Sequence, residues 1–125
     1  MKLSLFSSAV RPQLWKELLN SLRGGKYAYE VVFSGFIDEE LWKPIAEEYP
    51  EFKYIVTEDI KPAQCYEVAR RACTGELVCW IADDCIFSEG FVDKVYEWFY
   101  NNERIMYSKI VMSCKTNENG MNETM

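Results

Sequence analysis

An unbroken apolar run, Leu77-Val78-Cys79-Trp80-Ile81-Ala82, shows no alternation and is followed at once by Asp83-Asp84. A run of that kind predicts a central strand of a parallel sheet, covered on both faces. Thr74-Gly75-Glu76 precede it, and the spacing predicts a helix that stops at Gly75, because glycine accepts the left-handed conformation that closes a helix. The same alternation of patterns extends over the chain. Lys2 to Ser7 reads as a first strand. Arg11-Pro12 opens a helix whose Leu14, Trp15, Leu18, Leu19 and Leu22 make one apolar stripe, with proline where its missing N–H costs nothing. Gly24-Gly25 ends that helix. Glu30 to Ser34 reads as a second strand, and Asp38 to Tyr49 as a helix that Pro44 must kink or delay. Phe52 to Thr57 is a third strand, Pro62 to Thr74 a helix with Cys65, Val68, Ala69 and Ala72 on one face, and Gly90 to Asn101 a further helix. Arg104 to Ser113 reads as a fifth strand. The expected domain is 1–114, followed by a polar flexible tail over 115–125.

Strands alternating with helices predict right-handed βαβ units and an α/β fold, a three-layer, mostly parallel Rossmann-like sheet. In the strand order 3-2-1-4 the first and fourth strands are neighbours and the chain reverses direction between them. Ser7 to Arg11 then lie beside Asp83-Asp84 in a crevice at the carboxyl ends of the strands, where ligands of open α/β sheets bind.

Composition narrows the function. The chain has 125 residues and a formal charge of −6, which argues against nucleic acid, whose binding draws on Lys and Arg meeting phosphates. No apolar stretch approaches the ~20 residues of a membrane-spanning helix. Met1 to Phe6 is too short and too interrupted by polar residues for a signal peptide. There are five cysteines, no C-x-x-C and no histidine, which argues against a zinc site and predicts reduced thiols in the cytoplasm. Cys85, beside the acids, reads as a small, half-buried residue with nothing basic next to it in sequence to lower its pKa.

Two adjacent carboxylates at the end of a strand suit a hard cation, Mg²⁺ or Mn²⁺, which can in turn hold a diphosphate. The plainer reading is that Asp83 and Asp84 start a turn and Ser88 caps the next helix.

With these elements in place, the chain resembles the inverting, family-2-like nucleotide-diphospho-sugar glycosyltransferases of the GT-A fold. Arg11-Pro12-Gln13-Leu14-Trp15 is similar to the Arg-Pro-Glu-Leu-Leu that opens their first helix. Ala72-Cys73-Thr74-Gly75-Glu76 is similar to their Ala-x-Thr-Gly-Glu. Ala82-Asp83-Asp84 takes the place of their Asp-x-Asp, and Ile86 to Phe91 resembles the segment directly after that motif. The resemblance implies metal ligation by Asp84, with Asp83 as a second ligand. It also implies a nucleotide-sugar site at Ser7, Ser8, Arg11 and Asp83, taking a UDP- or GDP-linked donor with Mn²⁺ or Mg²⁺. Departures are specific. Ala82 replaces the first Asp, Ser7-Ser8-Ala9-Val10 replaces Pro-x-Tyr-Asn, Gly35-Phe36 carries no base-reading carboxylate, and Tyr66-Glu67 replaces Arg-Asn. The acceptor half that comes after the fifth strand in the family has no counterpart, and no residue is assigned as catalytic base. The expected function is therefore the donor-binding half of a glycosyltransferase, incomplete as a catalyst. The alternative is a non-catalytic α/β interaction module on the same scaffold.

The helix after the acids carries more apolar residues than the ~100° stripe that packing on a sheet requires. Phe91, Val95, Trp98 and Phe99 are expected to face inward. Val92, Tyr96 and Tyr100 are then expected to form a second stripe through which the chain self-associates.

Overall fold

A computed structural model of the chain describes residues 2–101, 113–116 and 122–124. Strands β1 (Leu3–Ser8), β2 (Tyr29–Gly35), β3 (Phe52–Val56) and β4 (Leu77–Trp80) form a parallel sheet in the order β3-β2-β1-β4. Helices α1 (Trp15–Leu22), α2 (Glu39–Glu48), α3 (Pro62–Ala72) and α4 (Phe91–Asn101) alternate with them, and a 3-10 turn at Pro12–Leu14 leads into α1. The main core joins Leu3, Leu5, Val31, Phe33, Phe52 and Tyr54 of the sheet to residues of α1, α2 and α4. On the opposite face α3 packs Ala69 against Phe6 and Val32. The fold is therefore the three-layer α/β arrangement that the alternation predicts. Among the described residues no helix is long and apolar enough to cross a membrane.

Local sequence explains the elements. Trp15, Leu18, Leu19 and Leu22 recur at helical spacing and are all buried against the sheet. Pro44 neither breaks α2 nor delays it: the helix starts at Glu39 and runs through the proline. Glu40 and Pro44 are both exposed, so the carbonyl deprived of an N–H partner faces water.

Four expectations change. First, β4 is an edge strand among the described residues, and the expected cover on both its faces is overturned. Its residues alternate: Leu77 and Cys79 pack on the main core, whereas Val78 and Trp80 are 51% and 65% exposed. Helix α3 covers β1 and β2 on that face and reaches β4 through the edge-on contact of Tyr66 with Trp80, leaving a groove of about 380 Å³ beside Phe6, Tyr66 and Trp80. Any site at Asp83-Asp84 must therefore rest on observed geometry and not on the apolar run.

Second, α3 ends at Ala72 with an extended Cys73, and Gly75 does not have a positive φ. Glycine is needed there for close approach. A Cβ on Gly75 would lie 2.5 Å from the Lys2 carbonyl oxygen and 2.6 Å from Ser4 Oγ. The Gly75 N–H donates to Ser4 Oγ at 2.8 Å, and Ser4 donates to buried Glu30 at 2.6 Å. Glu30 also accepts from the Thr74 N–H and hydroxyl, at 2.6 and 2.9 Å, and has Lys53 at 3.4 Å. Thr74-Gly75 thus locks the amino ends of the strands, opposite the candidate site.

Third, the expected faces of α4 hold only in part: Val95 is buried, Phe91 and Phe99 pack on the core and Tyr100 is exposed, but Val92 and Tyr96 turn inward. Val92, Val95 and Tyr96 are buried, while Phe91, Trp98 and Phe99 are only partly covered. The Tyr96 hydroxyl accepts from the Leu3 N–H and donates to the Ala28 carbonyl, and its ring stacks on Tyr27 at 4.5 Å. Val92 and Tyr96 are unavailable as an association stripe.

Fourth, Ser113–Thr116 (β6) and Asn122–Thr124 (β7) pair antiparallel with each other, and β6 pairs with the short strand β5 (Cys85–Ile86). These segments include parts of the expected polar tail. The expected fifth strand lies, apart from Ser113, outside the described residues. Cys85 is fully buried rather than half-buried.

Candidate functional site

The chain passes from β1 to β2 to β3 on one side, then crosses to β4 on the other side of β1. The carboxyl ends of β1 and β4 therefore flank the topological switch point of the sheet. From β1, Ala9 leaves the sheet with its N–H on the Ser34 carbonyl, and its own carbonyl accepts from Tyr54 Oη at 2.8 Å. Burial, with smaller effects from Cys65 and the Asp83 carboxylate, pushes the Tyr54 phenol well above its usual pKa, so it remains a proton donor. Arg11 comes next, just before the 3-10 turn, where its carbonyl accepts from the Leu14 N–H. From β4, the Ile81 N–H reaches the Phe6 carbonyl, and the chain turns at Ala82 to Asp84.

These two loops meet through charge. Arg11 Nη2 lies 2.5 Å from Asp83 Oδ1, and Arg11 Nε donates to Asp83 Oδ2 at 3.4 Å. The buried indole of Trp15 donates from Nε1 to the same Oδ2 at 3.3 Å. Asp83 is 5% exposed, so its carboxylate is held by a guanidinium and an indole in a nearly dry setting. Asp84 is less enclosed. Its side chain keeps 17% exposure, and its Oδ2 lies 3.8 Å from the same Arg11 Nη2.

The expected site residues divide accordingly. Arg11, Asp83 and Asp84 come together directly. Ser7 and Ser8 stand at the end of β1, and Ser7 Oγ donates to the Ser8 carbonyl and to Tyr66 Oη. Tyr66 in turn donates to the Ile81 carbonyl at 3.3 Å, which ties the serines to the strand that leads into the acids. Neither serine is brought into the Arg11–Asp83–Asp84 cluster itself. Trp15 is the residue that sequence reasoning assigned to the core alone. The available signal was its N–H, because a buried indole ordinarily finds an acceptor.

Among the described residues no three acids, cysteines or histidines cluster around a common point. Both Asp83 oxygens already accept hydrogen bonds, so Asp84, with its solvent access, is the more open of the two carboxylates to a cation. Mg²⁺ commonly binds through one or two carboxylates and completes its octahedron with water and substrate phosphate, so Asp84 fits that limited role.

No protein-family model and no curated protein sequence matches the chain. The solved structures include a similar fold. S. aureus TarS 1-349, a glycosyltransferase, superposes on 82% of this chain with a TM-score of 0.70 and 21% sequence identity. The match spans 33% of that solved chain, so this chain corresponds to about a third of it. At this identity the likeness shows a shared α/β fold alone.

Proposed function

We propose that this domain binds a nucleotide-diphospho-sugar, UDP- or GDP-linked, at the switch point between β1 and β4, with Mn²⁺ or Mg²⁺ on Asp84. The supporting observation is the meeting of Arg11, Asp83 and Asp84 at the carboxyl ends of these two strands, with Arg11 and Asp83 72 residues apart in sequence. Within this reading Arg11 and Asp83 fix the loop after β1 against the loop after β4, which orients Asp84 towards the crevice. Ser8, half-buried at the end of β1, supplies the wall on which the nucleotide lies, while Ser7 is fully buried and braces that strand end through Tyr66. A cation on Asp84 supplies charge for the departing diphosphate of a sugar transferase.

Calorimetry of UDP and GDP with and without Mn²⁺, on wild type and Asp84→Asn, tests the proposal. The expected result is Mn²⁺-dependent binding of one nucleotide that the Asn variant weakens at least about tenfold, as loss of a direct charged ligand requires. Absence of nucleotide binding, or equal binding by Asp84→Asn, overturns it. A second reading, a non-catalytic interaction module, is favoured by one observation, the open face of β4 with Val78 and Trp80 exposed. The same calorimetry separates the two, since the module requires neither nucleotide nor metal.

A further inference from the structure

We infer that Arg11 is the resident counter-cation of the acidic pair, and that Asp83 is the positioning residue that holds it where it opposes a divalent ion at Asp84. This rests on the proposed cation role of Asp84 and adds to it a mechanism of control. One guanidinium nitrogen, Nη2, lies 2.5 Å from Asp83 Oδ1 and 3.8 Å from Asp84 Oδ2. Among the described residues two adjacent carboxylates therefore face the same fixed positive charge. Arginine does not deprotonate in proteins, so that charge is present at every working pH.

Asp83 cannot release Arg11 readily. It is almost wholly buried, its second oxygen accepts from Trp15, and Trp15 is packed among Phe33, Phe52 and Tyr54. The clamp is thus set in the core, while Asp84, its neighbour in sequence, keeps access to solvent. A divalent ion arriving at Asp84 meets a like charge within about 4 Å of the oxygen it must bind. A diphosphate changes the balance, because its oxygens offer the guanidinium a new anionic partner. Cation and diphosphate then favour each other's binding, and either alone binds poorly. Arg11 would make the site answer to the ion and the anion together.

Electron paramagnetic resonance of free Mn²⁺ reads the affinity for the metal alone. Two like unit charges near 4 Å interact by about 1 kcal/mol even at the dielectric of water, which is roughly fivefold in affinity. Arg11→Gln is accordingly expected to bind Mn²⁺ at least about fivefold more tightly than wild type. Arg11→Lys, which keeps the charge, is expected to stay near wild type. Arg11→Gln leaves a buried carboxylate without its main partner and can fail to fold. The same comparison is therefore made between Asp83→Asn and the double variant Asp83→Asn/Arg11→Gln, where the double variant is expected to bind more tightly by a similar factor.

Equal or weaker Mn²⁺ binding after loss of Arg11, in either background, overturns the inference. So does Mn²⁺ binding that survives Asp84→Asn in the Arg11→Gln protein, because the ion then sits elsewhere. Mn²⁺ binding to no variant overturns it together with the cation role of Asp84. Mn²⁺-dependent nucleotide binding that is intact, with no gain on removing Arg11, overturns this inference alone and leaves the donor site standing.

Discussion

Gly75 and Gly24 need to be glycine for different physical reasons, and their substitutions should differ in cost. A Cβ on Gly75 would press on the Lys2 carbonyl and Ser4 Oγ, both fixed parts of β1 and its lead-in. Gly24 has φ +102°, and a methyl group there would have no other atom within 4 Å, so alanine meets only backbone strain. Gly75→Ala is expected to destabilise by about 2–3 kcal/mol, the range of an overpacked interior, and Gly24→Ala by about 1 kcal/mol. Urea unfolding of both variants checks this, and a Gly75→Ala protein as stable as wild type would remove the close-approach account. The sequence marked Gly75 as special but not why. Its neighbours in space, Lys2 and Ser4, lie about seventy residues away, and a helix stop was the only local cause on view. Arg11 and Asp83 were legible as neighbours because topology brings the ends of β1 and β4 together. Their direct pairing, and the part of Trp15 in it, depended on side-chain geometry that periodicity does not encode.

At the scale of elements, the order of strands and helices could be read from the alternation of patterns, whereas the orientation of single elements could not. Apolar residues distributed all around α4 define no unique phase. Its phase is fixed by Tyr96, whose hydroxyl satisfies one backbone donor at Leu3 and one acceptor at Ala28. Tyr96→Phe keeps the stacking on Tyr27 but removes the hydroxyl partner of both backbone groups. A loss of about 1–3 kcal/mol is expected, the cost of an unsatisfied buried polar group. Denaturant unfolding with hydrogen exchange at the Leu3 amide checks it; unchanged stability and protection would mean that packing alone sets the phase. In β4 the missing information is which face is covered. An apolar run does not reveal which of its faces a helix reaches, and α3 lies over β1 and β2 instead.

The whole molecule carries a polar clasp at each end of its sheet, and the two respond to different conditions. At the carboxyl end Arg11 and Asp83 join the loops of the candidate site, where metal and nucleotide are expected to act. At the amino end Glu30 on β2 joins Ser4 on β1, Lys53 on β3 and Thr74 before β4, so one carboxylate spans the four-stranded sheet. Burial alone would raise the pKa of Glu30, but hydrogen bonds from Ser4 and Thr74 and the charge of Lys53 outweigh it and hold the group at about 2. A carboxylate whose pKa is depressed on folding stabilises the protein fully above its unfolded value, near 4.5, and loses that contribution as pH falls through about 2. Wild type should therefore lose on the order of 3 kcal/mol between about pH 5 and pH 2 from this group. Glu30→Gln should be less stable than wild type at neutral pH and show a flatter decline in acid, because the variant carries no proton to gain there. Guanidinium unfolding at a series of pH values measures both slopes. Equal slopes would show that Glu30 is not the acid-sensitive link. Asp84→Asn, at the opposite end of the sheet, should keep the Glu30-dependent acid slope while losing metal-dependent nucleotide binding, which separates what holds the fold from what the site is proposed to do.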